Sequence, residues 1–177
     1  VPAAYSDGLY GVWHGMTDLR ELGLTEKLPK MIAAEAFGSL KATLQQKSTK
    51  PILVDSQWSV SFSIAGSLGT YQGLSALKES DGLAETSNDD ETMKMQKALA
   101  STEGLYAEAS SVTSLVAVSK LRKAGKIQED DKVVAVITST GLKDPAETAK
   151  HLPKVPIIEP NLSNLSKVLK EKYGFSI

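Results

Sequence analysis

The sequence predicts an α/β fold: a three-layer α/β/α arrangement around a mainly parallel sheet. Three observations carry that expectation. Residues 133–137 are five consecutive apolar residues, Val-Val-Ala-Val-Ile, the pattern of a strand buried on both faces. Similar short apolar runs recur along the chain and alternate with longer amphipathic stretches, as βαβ units require. Glycine, Asp-Gly and proline punctuate the boundaries between them.

In chain order, residues 3–8 are a loop of mostly small and polar residues that leads into a helix over 9–22. There Leu9, Val12, Trp13, Met16, Leu19 and Leu22 form one apolar stripe. Ser6 or Asp7 is placed to cap it and Gly23 to end it. Residues 30–36 read as a strand after the Leu28-Pro29 turn. Residues 37–50 read as a partly helical polar connection, and 52–64 as a short strand or an irregular loop. A helix over 67–80 closes at Asp81-Gly82, and 83–86 is the next strand. Ser87 followed by Asp89, Asp90 and Glu91 opens the clearest helix of the chain, since a hydroxyl cap and acidic first turn suit a helix amino end. It runs to Gly104. Residues 105–108 are a further short strand. Ser110 or Ser111 caps a helix whose last turn gathers Lys120, Arg122 and Lys123 before Gly125. The strand over 132–137 follows, then a short helix after Asp144-Pro145, a proline-punctuated stretch, and a last amphipathic helix over 162–173.

Composition narrows the function classes. The 177 residues are enough for a sizeable core, and 20 basic against 21 acidic residues leave a net charge of -1. No basic tract interleaved with aromatics points to nucleic acid, and no apolar run approaches the roughly 20 residues needed to cross a bilayer. There is no cysteine, so no disulfide framework or thiolate metal site exists. With only His14 and His151, a histidine-rich metal centre is not expected either. These features predict a cytoplasmic protein without metal, nucleic-acid or membrane partners.

Three loops leave predicted strands and enter helices: residues 3–8, 108–111 and 138–141. In an open α/β sheet they would share the carboxyl edge, where ligands bind. The first lies at a helix amino end that favours an anion, although Asp7 opposes one and an Asp-Gly turn explains the same residues. Glu108, Ser110 and Ser111 place a carboxylate and two hydroxyls at a strand end; helix capping explains those serines equally. Residues 138–141, Thr-Ser-Thr-Gly, read either as a ligand-facing edge or as a polar turn. Neither histidine has a serine and aspartate around it that would make a triad. Lys143 reads as a surface lysine beside Asp144 rather than a desolvated nucleophile.

Taken together, these stretches resemble the carboxyl-terminal part of threonine synthase, a fold-type II pyridoxal-phosphate enzyme. Val1-Pro2 and then Leu9-Tyr10-Gly11-Val12-Trp13-His14-Gly15-Met16 resemble the family's glycine-loop segment. Residues 28–36, LPKMIAAEA, resemble LPRIIGVQA; residues 103–111, EGLYAEASS, resemble EGIFxEPASA; residues 138–145, TSTGLKDP, resemble TGHGLKDP. The last two motifs are the most specific. The resemblance implies the fold-type II large-domain architecture and the cofactor pyridoxal 5'-phosphate. Thr138 would meet the pyridine nitrogen, and the loop of Ala4, Tyr5, Ser6, Asp7 and Gly8 would meet the phosphate, with Glu108 and Ser110 at the same edge. It implies conversion of O-phosphohomoserine and water to threonine and phosphate, and a homodimer.

The departures from the family are as informative. Ala4, Ser6 and Asp7 stand where the loop carries glycines or small neutral residues. Ala109 replaces a proline, and Ser139-Thr140 replaces Gly-His. The SFKD-like motif that carries the family's Schiff-base lysine does not occur. Residues 1–177 are therefore expected to be the carboxyl-terminal portion of a longer protein. Its partner is the missing amino-terminal half, and no catalytic residue is assigned within the chain, which is expected to be inactive alone. Two other expectations stay open: a threonine or serine dehydratase-like lyase, and a non-catalytic homologue or structural fragment that no longer binds the cofactor.

Overall fold

A computed structural model describes residues 1–176 and divides the chain into two compact units, Val1–Pro145 and Ala146–Ile177. The first contains a parallel pair of strands, β1 (Ile32–Glu35) and β2 (Leu83–Thr86), with Ile32 opposite Leu83 and Glu35 opposite Thr86. Pro2 extends the sheet on the other side of β1, in parallel with Ala34. The Ala3 amide donates to the Ala34 carbonyl at 2.8 Å, and the Ala34 amide donates to the Val1 carbonyl at 2.9 Å.

Successive strand residues face opposite sides of a sheet, and each side here is covered. Ala33 and Ala84 join the core with Leu9 and Trp13 of α1 (Asp7–Glu21), Leu40 of α2 (Ser39–Gln45), and Leu74 and Leu77 of α3 (Tyr71–Glu79). The Trp13 indole N–H donates to the Glu79 carboxylate at 2.8 Å, tying α1 to α3. α5 (Ala109–Lys123) packs against both strands and against α4 (Asp89–Glu103). The α/β expectation therefore holds, with helices on both faces of a small parallel sheet.

Local chemistry explains most helix ends. Asn88 caps α4 by accepting from the Glu91 amide at 2.9 Å, and the Glu91 carboxylate reaches back to the Asn88 amide at 3.0 Å. This is a capping box, centred one residue after the expected Ser87. Asn88→Ala is expected to cost about 1 kcal/mol in a denaturant titration. Burial pushes the Glu91 carboxyl up, but the Asn88 N–H and the Lys120 ammonium, 3.1 Å away, outweigh it and hold it below the usual range. A lowered carboxyl contributes stability above its unfolded value, about 4.3 for glutamate, and loses it as pH falls through the folded value. The stability gap between the wild type and Glu91→Gln should therefore close in acid; a gap independent of pH would contradict this assignment.

α2 uses a different device. The Glu35 carboxylate, at the end of β1, accepts from the Leu40 and Lys41 amides, both at 2.9 Å. Its burial nonetheless raises the carboxyl above its ordinary value, against the lowering effect of those amides and of Lys41.

Two expected strands are corrected. Residues 105–108 form only an isolated antiparallel bridge, Ala107 with Thr140. Residues 132–137 are not a strand: among the described residues no backbone group bonds to theirs, and Val134 is 87% exposed. An apolar run can specify one half of a ladder but cannot supply the other. Ser110 and Ser111 lie inside the first turn of α5, and Glu108 is its N-terminal boundary residue without a side-chain cap bond. Residues 52–64 are irregular apart from a 3-10 turn, Phe62–Ile64.

The second unit holds most of α6 (Pro145–Lys150) and α7 (Leu162–Tyr173), the latter capped by Asn161, which accepts from the Asn164 amide at 2.9 Å. Glu147 pairs with Lys150 at 2.6 Å and His151 at 3.5 Å. Among the described residues, no helix is long and apolar enough to cross a membrane.

Candidate functional site

The loop entering α1 presents a row of unused donors. The backbone N–H groups of Ala4, Tyr5, Ser6, Asp7, Gly8 and Leu9 have no acceptor among the described residues; the first bond of the turn is Tyr10 N–H to the Ser6 carbonyl at 2.9 Å. Four of these, from Ser6 to Leu9, are unpaired at the start of any helix. The preceding two, Ala4 and Tyr5, extend the row into the loop, and Ser6 between them and the helix adopts the left-handed conformation (φ 68°, ψ 16°). Successive amides around such a residue form a concave nest for an anion, at the positive end of α1.

Packing fixes the loop. Ala3 is bonded to β1, the Thr70 hydroxyl donates to the Tyr5 carbonyl at 2.7 Å, and Ser6 is buried against Gly73 of α3. A side chain at Gly73 would overlap Ser6, so that glycine sets how closely α3 approaches the loop. Asp7 and Gly8 are exposed, and the Tyr5 ring is 65% exposed.

Residues 138–141 meet the start of α5 through a continuous set of bonds. The Ser139 amide donates to the Ser111 hydroxyl at 2.9 Å, and the Ser111 and Thr138 hydroxyls are 2.8 Å apart. The Glu108 amide donates to the Ser139 carbonyl at 3.0 Å, and the Gly141 amide to the Tyr106 carbonyl at 2.9 Å. Ser111 is fully buried while Thr138 is exposed. The exposed hydroxyl is thus held from below by a buried one.

Glu108 is buried yet engaged: its carboxylate accepts from the Ser63 hydroxyl at 2.6 Å and lies 3.8 Å from the Lys143 ammonium. Lys143 is therefore paired with Glu108, a partner outside the adjacent residues. The Ser110 hydroxyl is buried without a hydrogen-bond partner among the described residues, as is that of Ser61. The sequence points to Thr138, Glu108, Ser110 and the 4–8 loop as candidates, but not to Thr70, Ser63 or the bond from Ser111 to Thr138. The first two lie in segments without periodicity, so only tertiary contact reveals them. Ser111 was visible only as a possible cap. Among the described residues no cluster of histidine and carboxylate side chains could hold a metal ion.

A nest of amides at a helix amino end suits a phosphate, and an exposed hydroxyl fixed by a buried one suits a hydrogen-bonding ring atom. The model of the pyridoxal-phosphate-dependent enzyme family matches residues 1–139. The chain belongs to that family. It is 30% identical over 176 residues to the threonine synthase of Methanocaldococcus jannaschii, an alignment covering 97% of this chain and 43% of that protein. The threonine synthase of Methanosarcina acetivorans is 28% identical, covering 96% and 43% respectively. The chain therefore spans less than half the length of these curated relatives.

Solved structures show the same fold. A fungal L-serine ammonia-lyase from Rhizomucor miehei superposes with a TM-score of 0.62 at 19% identity, over 84% of this chain and 48% of that one. The processed form of threonine deaminase isoform 2 from Solanum lycopersicum gives 0.56 at 14% identity, over 78% and 40%. The fold-type II architecture of this pyridoxal-phosphate-dependent family is thereby shown.

The residues present fit the family's cofactor at two points. The phosphate requires several converging N–H donors, and the nest provides them despite Ala4, Ser6 and Asp7, because backbone amides do not depend on side-chain identity. The ring nitrogen requires one directed donor, which an exposed hydroxyl can be.

Proposed function

We propose that this chain forms the phosphate and pyridine walls of a threonine synthase-like enzyme, which in the assembled protein converts O-phosphohomoserine and water to threonine and phosphate. The observation that carries the reading is the chain of bonds from Ser139 through Ser111 to Thr138. When bound, pyridoxal phosphate supplies the electron sink for cleaving bonds next to the amino-acid nitrogen.

The chain's own residues orient the cofactor. The six amides from Ala4 to Leu9, which have no acceptor among the described residues, would hold the phosphate. The Ser111 oxygen accepts from the Ser139 amide and is hydrogen-bonded to the Thr138 hydroxyl. With Ser111 as the donor of that second bond, Thr138 would keep its own proton for an outward acceptor, the ring nitrogen. A neutral hydroxyl donor leaves that nitrogen unprotonated, unlike a carboxylic partner. The Glu108 carboxylate, bound to Ser63 and Lys143, braces the entry to α5.

The lysine that anchors the cofactor, the substrate contacts and any dimer partner lie with the remainder of the protein in this reading. The test uses this chain assembled with that remainder. Phosphate release from O-phosphohomoserine is expected, and Thr138→Val should lower kcat about 10–100-fold, the value of one hydrogen bond to a charged or developing charge. Ser111→Ala should show part of the same loss, together with a shift in the visible absorbance of the bound cofactor. Release of ammonia from serine or threonine without phosphate release would assign the protein to the dehydratase type instead. No absorbance and no product would leave a non-catalytic homologue.

A further inference from the structure

Residues 66–73 run beside the loop that forms the amide nest and meet it one residue at a time. A Cβ at Gly66 would sit 3.5 Å from the Ala4 side chain, the Thr70 hydroxyl is 2.7 Å from the Tyr5 carbonyl, and Gly73 lies against Ser6. The outer two are packing contacts at glycines. Thr70 supplies the polar contact between them.

Thr70 is the N-cap of α3, and its hydroxyl serves both sides. The oxygen accepts from the Gly73 amide at 3.2 Å, and its single proton goes to the Tyr5 carbonyl, which can only accept. A hydroxyl that accepts and donates at once is polarised in both bonds. The carbonyl before it in the loop, that of Ala4, has only the Ser6 hydroxyl at 3.5 Å, too long to hold a peptide firmly. Among the described residues, the Thr70 bond is therefore the firmest polar hold on the loop between Ala3 and α1.

That bond sets the direction of the next amide. The Tyr5 carbonyl and the Ser6 N–H belong to one trans, planar peptide, so they point in opposite directions. With the carbonyl turned to Thr70, the Ser6 N–H turns away from it and finds no acceptor among the described residues. Ser6 also holds a left-handed conformation that is unfavourable for a residue with a side chain, so its position needs an external hold.

The geometry points to Thr70 as a positioning residue of the phosphate nest. Its hydroxyl turns the Tyr5–Ser6 peptide so that the Ser6 amide faces the anion, and its cap bond ties that amide to α3. The inference rests on the reading of residues 4–9 as a phosphate wall. It concerns how tightly the phosphate is held, and its readout involves no turnover.

The test is amide NMR of the labelled chain titrated with pyridoxal phosphate and, as a control lacking the phosphate, with pyridoxal. In the wild type the amides of residues 5–9 should shift with the first and not with the second. Thr70→Val keeps the branched shape but cannot donate. Its Kd should rise about tenfold, as the loss of one ordinary hydrogen bond implies, with the largest change of bound shift at Ser6. Thr70→Ser keeps the hydroxyl and should restore the wild-type value. Because Thr70→Val also removes the cap and lowers the melting temperature, Leu77→Val is measured beside it. That variant loosens α3 at a buried side chain away from the loop, and should lower the melting temperature while leaving Kd unchanged. An equal rise in Kd for Leu77→Val would reduce Thr70 to a helix cap and overturn the inference. So would a Thr70→Val chain that binds as tightly as the wild type. A wild type that binds neither compound, or responds equally to both, would instead overturn the phosphate reading and the inference with it.

Discussion

Replacing Leu40 with alanine is expected to lower the free energy of unfolding by about 2–5 kcal/mol. Leu40 is fully buried, in the cluster that joins α1 and α3 to the sheet. Two glycines approach it closely: a Cβ built at Gly69 would lie 2.8 Å from its side chain, and one at Gly73 would lie 3.3 Å away. The surrounding backbone is already at contact distance and held elsewhere. Gly69 is bonded through its amide to the Ser39 hydroxyl at 2.8 Å, so little collapse can fill the void. The cost therefore belongs in the upper part of that range. A urea titration should show a lower midpoint with an unchanged slope. Leu22→Ala, at a side chain 72% exposed, serves as the control and should change stability by no more than about 0.5 kcal/mol.

Gly73→Val should be the second large effect, and it links stability to the site. The added Cβ would overlap both the Cβ and the hydroxyl of Ser6, the residue whose left-handed conformation shapes the amide nest. Overpacking of this kind costs about 1–3 kcal/mol. Relief requires either α3 or the 4–8 loop to move, and the loop has the fewer bonds. The expected result is a lower melting temperature together with altered amide chemical shifts at Ser6, Asp7 and Gly8. Gly11→Ala should act oppositely. No atom lies within 4 Å of a Cβ at that helical position, and the exchange is worth about 0.5–1 kcal/mol of added stability.

The sequence made some of this architecture legible for physical reasons that differ by element. α1 and α4 were readable because their apolar spacing and terminal residues are local properties. β2 was read at its observed limits, Leu83–Thr86, because Asp81-Gly82 and the acidic helix start bound it on both sides. Residues 132–137 have the composition of a central strand, but pairing is a property of two segments, and the second is not among the described residues. α2 begins through the Glu35 carboxylate, a residue of the preceding strand, which no helix-start pattern announces.

The site divides in the same way. Thr138, Glu108 and the 4–8 loop are legible as candidates because they sit where the sequence predicts strands to end. The resemblance to threonine synthase motifs assigned them roles that composition and spacing could not. The contacts that fix them, Thr70 on the Tyr5 carbonyl and Ser63 on Glu108, join positions 65 and 45 residues apart and leave no periodic trace.

The most direct test of the central claim, that this chain carries the phosphate and pyridine walls of a pyridoxal-phosphate site, is a titration of the isotopically labelled protein with pyridoxal phosphate, followed by amide NMR. The account predicts concentration-dependent shifts at the amides of residues 4–9 and at Ser139, with Thr138→Val reducing the second set and leaving the first. Shifts absent from both regions, or spread without preference over the surface, would contradict it.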